Sequence, residues 1–215
     1  MGTGKYTQSW WVGFFGMLAG MSLLLNFFLL WKLYQPIILE KVSRFKHPSP
    51  LSAQDHVRGD PAAAVLIIEY SDFECPFCRQ FHKTLKAVQS EVPLRWVYRH
   101  FPLNSHPDAA RLAEASECAS EQGRFWEFAD AVFEAPSPTN WTDFLKTWAA
   151  GGGIDTARFQ TCMSSGAMHG VIQRASDEGE RLMISGTPTF FVNGERYSGA
   201  IPQERLREIV VQAAH

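Results

Sequence analysis

The chain has few cysteines and no excess of basic residues. Its 215 residues include four cysteines, and its formal net charge is -2. Four cysteines are too few for a small disulfide scaffold, so a hydrophobic core must stabilise the fold. The slightly negative charge, and the lack of a basic stripe with interleaved aromatic residues, argue against binding to nucleic acid. We therefore expect one or two globular domains in which the thiols have a purpose of their own.

The sequence also lacks internal repeats, low-complexity tracts and a second Cys-x-x-Cys motif. Its single motif of this kind is Cys75-Pro76-Phe77-Cys78, whereas Cys118 and Cys162 are isolated. A structural zinc site needs four ligands, and the seven scattered histidines form no evident ligand cluster. We expect His82 and His106 to lie on the surface or at helix ends. No metal and no cofactor other than a redox-active disulfide is expected.

Charged residues are absent from Ser9 to Trp31, near the amino terminus. This run is apolar on all sides and exceeds the length of about 20 residues that crosses a bilayer. We predict that residues 1–34 form a single-pass transmembrane anchor, with residues 10–33 in contact with lipid. A cleaved signal peptide is the alternative, but Leu33-Tyr34-Gln35-Pro36 offers no small-residue cleavage site. Residues 35–58, which contain several prolines and scattered charges, are predicted to be a tether.

Hydrophobic periodicity predicts the secondary structure of the remaining chain. Strands are expected over residues 65–70, 94–101, 189–192 and 195–197, the last two joined by the turn Asn193-Gly194. Helices are expected over residues 75–88, 105–123, 125–133, 141–150, 155–162, 167–183 and 202–213. The order is strand–helix–strand, then a helical block, a hairpin and a final helix. It favours an α/β fold with a mixed sheet and a helical insertion.

The Cys-x-x-Cys motif lies where the first of these strands meets a helix. A sulfur at a helix N-terminus is close to unpaired backbone N–H groups and the positive end of the helix dipole, and both favour the reactive thiolate. We therefore expect Cys75 to be the attacking and leaving sulfur. Cys78 is expected to be more deeply buried and to resolve the mixed disulfide. Pro76 suits the first helical turn because it lacks an N–H group there.

Two segments together resemble the DsbA-like branch of the thioredoxin superfamily. They are Tyr70-Ser71-Asp72-Phe73-Glu74-Cys75-Pro76-Phe77-Cys78 and Gly186-Thr187-Pro188-Thr189-Phe190-Phe191-Val192-Asn193-Gly194. His100-Phe101-Pro102-Leu103 and Gln122-Gly123-Arg124-Phe125-Trp126 are also similar to that branch, and the resemblance covers about residues 55–213. It implies a thioredoxin fold, a central mixed sheet flanked by helices, within residues 59–215. An inserted helical domain is implied at about residues 104–183.

The resemblance also implies roles for individual residues. The Thr187–Pro188 bond is expected to be cis, with the Thr187 backbone facing Cys75; an ordinary trans proline is the alternative. Glu69 is expected to be buried beneath the disulfide and to assist proton transfer to Cys78. The alternative is a strand-end glutamate that reaches solvent or an ion pair. Strong oxidants of this family often have a histidine between the cysteines, so Phe77 implies a less oxidising site.

Cys118 and Cys162 lie on separate predicted helices. In an oxidising compartment an even pair of this kind favours a structural disulfide, which would close a loop of about 45 residues and stabilise the fold. Two buried free thiols are the alternative.

The function expected from these observations is that of a membrane-anchored thiol:disulfide oxidoreductase. It would introduce disulfides into extracytoplasmic proteins with cysteine thiols and be reoxidised by a DsbB-like membrane quinone reductase. A reductase or isomerase supplied with electrons from the cytoplasm is the alternative enzyme. The rival from another class is a thiol-based metal carrier or chaperone. Basic residues after the apolar run would by themselves keep the domain cytoplasmic, but the chemistry favours the periplasmic, extracytoplasmic side.

Overall fold

The computed structural model of the protein describes residues 24–33, 47–136 and 140–215. Residues 24–33 are helical (α1), and they belong to a different unit from the domain that begins at His47. Most of the predicted anchor and the first half of the predicted tether, residues 35–46, lie outside the described residues. Within the described ranges, no helix has the length and apolar character required to span a membrane.

The domain contains five strands and seven helices in the part of the chain that the structure describes. The strands are β1 (His56–Gly59), β2 (Leu66–Ser71), β3 (Arg95–His100), β4 (Thr189–Val192) and β5 (Glu195–Ser198). The helices are α2 (Pro76–Glu91), α3 (Ala109–Ser120), α4 (Phe125–Glu134), α5 (Trp141–Gly151), α6 (Thr156–Ser165), α7 (His169–Arg181) and α8 (Gln203–Ala213).

The strands form one mixed sheet in the order β1-β3-β2-β4-β5. Strands β2 and β3 are parallel, with Glu69 beside Tyr98, and every other neighbouring pair is antiparallel. The hairpin from β4 to β5 turns at Asn193 and Gly194, which have φ values of 47° and 92°. A type I′ turn needs positive φ at both positions, which explains the Asn-Gly pair. The predicted mixed sheet is confirmed.

Hydrophobic side chains cover both faces of the sheet, which is why β2 is an almost continuous apolar run. On one face, β2 and β4 pack against α2 and α8 through residues that include Ile67, Phe81, Leu85, Phe190 and Leu206. On the other face, a second cluster includes Ile68, Tyr70, Val97, Leu182 and Phe191. Glu69 is therefore a charged residue type in the middle of a core strand.

Five helices, α3 to α7, lie between β3 and β4, where the helical insertion is expected. Helices α3 to α6 contribute to a further core that includes Leu112, Phe128, Val132 and Phe159. Two of them begin at side-chain caps: Asn140 accepts from the N–H groups of Thr142 and Asp143, and Asp155 accepts from that of Arg158. Such caps satisfy backbone donors that have no partner within the helix.

Strand β1 is a feature that sequence analysis did not predict, because residues 35–58 were placed in the tether. It pairs antiparallel with β3, and Arg58 forms a double hydrogen bond to Asp130 of α4, with distances of 2.8 and 2.7 Å. Just before it, Asp55 pairs with Arg99 of β3 at 2.8 Å. A four-residue strand is too short to show a clear hydrophobic periodicity, and the residues that hold it in place are distant in sequence. Sequence analysis therefore had little from which to predict β1.

Candidate active site

Cys75 is the N-cap of α2 and follows β2 after a short turn, as the sequence predicts. Its backbone N–H donates to the carbonyl oxygen of Asp72 at 3.2 Å, and Pro76 is the first residue of the helix. Cys75 is 3% exposed and Cys78 is completely buried, and the two are not bonded to each other in this structure. Of the two sulfurs, Cys75 is thus the one nearer to solvent.

The pKa values of the two thiols are shifted in opposite directions. The Cys78 thiol donates to the Cys75 sulfur, and together with Thr187 and the backbone N–H groups of Cys78 and Phe77 this hydrogen bond outweighs burial and lowers the pKa of Cys75 to about 5. Burial, and then the neighbouring Cys75 and Glu69, raise the pKa of Cys78 well above its ordinary value. At neutral pH the reduced site therefore contains a thiolate at Cys75 and a thiol at Cys78.

The loop before β4 places Thr187 against Cys75. The Thr187–Pro188 peptide bond is cis, and the Cys75 sulfur lies 3.4 Å from the carbonyl oxygen of Thr187. The Thr189 hydroxyl donates to the carbonyl oxygen of Gly186 at 2.8 Å and bridges the same loop. Residues more than 100 positions apart in sequence thus meet at one sulfur.

Glu69 lies in the middle of β2 with its side chain completely buried. One carboxylate oxygen, Oε2, accepts from Trp96 Nε1 at 2.9 Å, and the other has no hydrogen-bond partner. Burial raises the pKa of Glu69 to about 7, although the neighbouring Ser71 and Trp96 side chains lower it. The Tyr98 hydroxyl is also buried without a partner. The interior beside Cys78 is therefore polar, and its carboxyl group changes protonation near neutral pH.

Asp72 is a site residue to which sequence analysis assigned no role, although it lies in the segment that resembles the DsbA-like branch. Its side chain is completely buried and accepts hydrogen bonds from Glu74 N at 2.8 Å, Leu103 N at 2.9 Å and His106 Nδ1 at 2.7 Å. Its backbone N–H points to the sulfur of Cys78 at 3.5 Å. The available signal was an aspartate three residues before the Cys-x-x-Cys motif.

Cys118 of α3 and Cys162 of α6 form a disulfide with a Cα–Cα distance of 5.7 Å. Both residues belong to the core of the helical insertion, which also contains Cys75 and Cys78. The bond therefore links two helices of the layer that covers the active-site cysteines.

The expectation for His82 was wrong. This residue is completely buried on the inner face of α2, where its Nε2 lies 2.8 Å from Asp130 Oδ1, and burial lowers its pKa. Its position one residue after the core residue Phe81 gave no hint of this partner, which lies 48 residues further along the chain. By contrast, Phe77 is 60% exposed beside the cysteines.

Sequence analysis also missed a cluster of two histidines and a glutamate. His56 of β1 and His100 of β3 each place Nε2 2.7 Å from the same oxygen of Glu117 in α3. Against the effect of burial, the hydrogen bonds from His100 and His56 lower the pKa of Glu117 to about 2. The three ligand atoms lie within 4.8 Å of one another, which is compatible with metal ligation, but the short N–O distances are those of hydrogen bonds. This group fastens the edge strand β1 to the helical insertion.

An acidic thiol near solvent, a second thiol of high pKa behind it and a buried carboxyl group together suit dithiol/disulfide exchange. The protein family that the chain matches is consistent with this chemistry. A family profile described as thioredoxin matches residues 51–212, and the chain belongs to that family.

Among curated proteins, the chain is 38% identical over 162 residues to the Na(+)/H(+) antiporter NhaA 3 of Salinispora tropica. The match covers 74% of this chain and 25% of the antiporter. The chain thus spans about a quarter of the length of the curated relatives it matches.

Solved structures of redox proteins have the same fold. A thioredoxin-like oxidoreductase from Silicibacter pomeroyi matches with a TM-score of 0.68 and 26% identity, over 75% of this chain and 93% of that one. Wolbachia pipientis alpha-DsbA1 matches with a TM-score of 0.65 and 24% identity, over 77% of this chain and 92% of that one. At this identity the second match shows the fold alone. The resemblance to DsbA-like proteins is confirmed as a likeness of fold.

Proposed function

We propose that the protein is a thiol:disulfide oxidoreductase of the DsbA type that introduces disulfides into proteins with cysteine thiols. The observation that carries this proposal is the asymmetry of the two sulfurs. Cys75, with a pKa of about 5, lies 3.4 Å from the Thr187 carbonyl, whereas the buried Cys78 has a raised pKa. A sulfur that is stable as a thiolate is a good leaving group, and a disulfide whose reduced form is stabilised in this way is a good oxidant.

The reaction consists of two exchanges. A substrate thiolate attacks Cys75 in the Cys75–Cys78 disulfide, the bond between the two cysteines breaks, and Cys78 leaves and takes up a proton. A second substrate thiolate then attacks the substrate sulfur of the mixed disulfide, and Cys75 leaves as a thiolate. The substrate dithiol loses two electrons and becomes a disulfide, and the enzyme disulfide gains them.

The buried carboxyl group of Glu69 fits the proton transfer in the first exchange. Cys78 leaves as a thiolate in an interior where burial strongly disfavours its charge, so it needs a proton donor. Glu69, with its pKa near 7, holds a proton below that pH and returns to the same state after exchange with water. Its role is to move a proton to Cys78.

Main-chain groups at Thr187 fit the binding of substrate. The Thr187 carbonyl lies beside Cys75, so an extended substrate segment that presents a cysteine to Cys75 passes along this loop. Recognition through backbone groups suits an enzyme with many protein substrates, because it does not depend on side-chain identity. The exposed ring of Phe77 adds an apolar contact for unfolded chains.

The proposal extends to location and partners. The Cys118–Cys162 disulfide supports an oxidising, extracytoplasmic compartment, because such bonds rarely persist in the cytoplasm. The apolar run within residues 10–33 supports a single-pass anchor in the bilayer. Reoxidation of the reduced cysteines then falls to a DsbB-like quinone reductase in the same membrane. No cofactor beyond the redox-active disulfide takes part.

The test is oxidation of reduced, unfolded ribonuclease by the detergent-purified full chain. Wild-type protein with the cysteines oxidised should restore ribonuclease activity, and Cys75→Ser should not. A Cys118→Ala/Cys162→Ala variant is the matched control and should retain the activity, because it removes two cysteines outside the exchange. Failure of the wild-type protein, or undiminished activity of Cys75→Ser, would refute the proposal.

Direction in the cell needs a separate measurement. Acid trapping followed by alkylation reports the oxidation state of Cys75 and Cys78 in growing cells. An oxidase should be found mainly as the disulfide, since it is recharged by an oxidant. A mainly reduced pair would support the reductase or isomerase instead.

A further inference from the structure

The loop between β3 and α3 brings a histidine to the edge of the active site. His106 is 23% exposed, and its Nδ1 lies 2.7 Å from Oδ2 of Asp72, whose side chain is completely buried. The backbone N–H of Leu103, in the same loop, donates to the same carboxylate oxygen at 2.9 Å. The loop therefore holds the imidazole against this carboxylate through two neighbouring contacts.

Asp72 is tied to both active-site cysteines through its main chain. Its carbonyl accepts from Cys75 N at 3.2 Å, and its N–H points to the Cys78 sulfur at 3.5 Å. Its backbone thus contacts both cysteines, and its carboxylate is buried, so water screens the charge poorly. A second carboxylate, Glu74, stands directly before Cys75 and accepts from Asp108 N at 2.7 Å. Both negative charges oppose a thiolate at Cys75.

We propose that His106 is the counter-charge that offsets Asp72 and Glu74 and thereby stabilises the thiolate of Cys75 in the reduced enzyme. This inference rests on the proposed function, because it assigns a control of the oxidising power of that same site. His106 is a positioning residue that acts through the field at Cys75 and takes no part in bond formation. Phe77, which lies between the two cysteines, has no charge. His106 supplies a positive charge from a different loop.

The protonation of His106 agrees with this role. Burial disfavours the imidazolium, but the hydrogen bond and the negative charge of Asp72 prevail and raise the pKa of His106, with smaller contributions from Cys75 and Glu74. Among the described residues, the charged groups that act most strongly on His106 are Asp72, Cys75 and Glu74, and Asp108 lies two residues further along the same loop. The imidazolium is populated below the raised pKa and lost as the pH rises through it.

Loss of this charge should make the enzyme a weaker oxidant. Reduction of the enzyme by two glutathione molecules yields the dithiol and glutathione disulfide, and a stable Cys75 thiolate favours the products. Without the imidazolium we expect the equilibrium constant for this reduction to fall about threefold to tenfold. That change corresponds to a potential lower by roughly 15–30 mV, at about 30 mV per tenfold change.

Two substitutions separate charge from hydrogen bonding. His106→Asn keeps an N–H donor near the position of Nδ1 but has no charge, and His106→Lys keeps the charge with a different donor geometry. His169→Asn is the matched control, since His169 is exposed at the start of α7. For each full-chain variant, the thiolate absorbance against pH gives the pKa of Cys75, and equilibration with glutathione gives the potential.

We expect His106→Asn to raise the pKa of Cys75 and lower the potential, and His106→Lys to remain closer to wild type. The potential of the wild type, but not of His106→Asn, should change slope where His106 titrates. The inference would be overturned if His106→Asn had the same Cys75 pKa and the same reduction potential as the wild type. It would also be overturned if His169→Asn shifted these two quantities as much as His106→Asn does. If His106 acted only by holding the loop in place, His106→Asn would stay close to the wild type in Cys75 pKa and potential, and His106→Lys would differ from it. Thiolate titration needs no substrate, so it remains decisive even if ribonuclease is not oxidised.

Discussion

Replacement of Glu69 by glutamine should stabilise the protein at high pH while impairing its chemistry. The wild-type carboxyl group is completely buried, one of its oxygens has no partner, and burial raises its pKa to about 7. The ordinary value of 4.5 applies in the unfolded chain. At 1.36 kcal/mol for each pKa unit, the difference amounts to about 3 kcal/mol of stability lost once the group ionises in the folded protein.

The sign follows from proton linkage. Because the folded pKa is raised, the favourable contribution of the protonated carboxyl is fully present below about pH 4.5 and is lost as the pH rises through about 7. Glutamine keeps the shape and cannot ionise. Glu69→Gln should therefore match the wild type at about pH 4.5 and exceed its unfolding free energy by about 3 kcal/mol at about pH 8.

Urea unfolding of both proteins over this pH range measures the difference. Glu117→Gln is a matched control of opposite sign, because the pKa of Glu117 is lowered by His100 and His56. It should lose about 1–3 kcal/mol near neutral pH, since two buried donors lose a charged acceptor. A Glu69→Gln effect that does not change with pH would refute the assignment of a buried, titrating carboxyl. The same variant should release Cys78 more slowly during substrate oxidation.

Two further predictions concern the cysteines. Cys118→Ala/Cys162→Ala should lower the unfolding free energy by about 4 kcal/mol, the loop-entropy value for a sequence separation of 44, as measured by urea unfolding. A loss below about 1 kcal/mol would contradict this. Cys78→Ser should accumulate mixed disulfides with other proteins, visible on non-reducing gels, because the resolving thiol is missing, and Cys75→Ser should accumulate none. Equal accumulation in the two variants would contradict the assignment of Cys75 as the exchanging sulfur.

The features that sequence analysis predicted well are those with local causes. Cys75 at a helix start and the Asn193-Gly194 turn depend on residues within a few positions of one another. The alternation of apolar and polar residues likewise reveals β3.

The features that were missed depend on contacts between distant segments. The pairing of β1 with β3, the burial of His82 against Asp130, and the contact of Asp72 with His106 are set by tertiary packing. A single histidine or aspartate has the same local appearance in a surface loop and in a buried ion pair. Only the fold distinguishes the two, which is why the contact of Asp72 with His106 beside the cysteines was not predicted.

The acidity of Cys75 is the central claim, and its direct measurement is the rate of alkylation by iodoacetamide as a function of pH in the reduced full chain. The rate should follow a titration with a pKa of about 5. In Cys78→Ala the same titration should move to higher pH, because the hydrogen bond from Cys78 makes the largest contribution to the low pKa of Cys75. A wild-type pKa of about 8.5, the value of a free cysteine, would contradict the account.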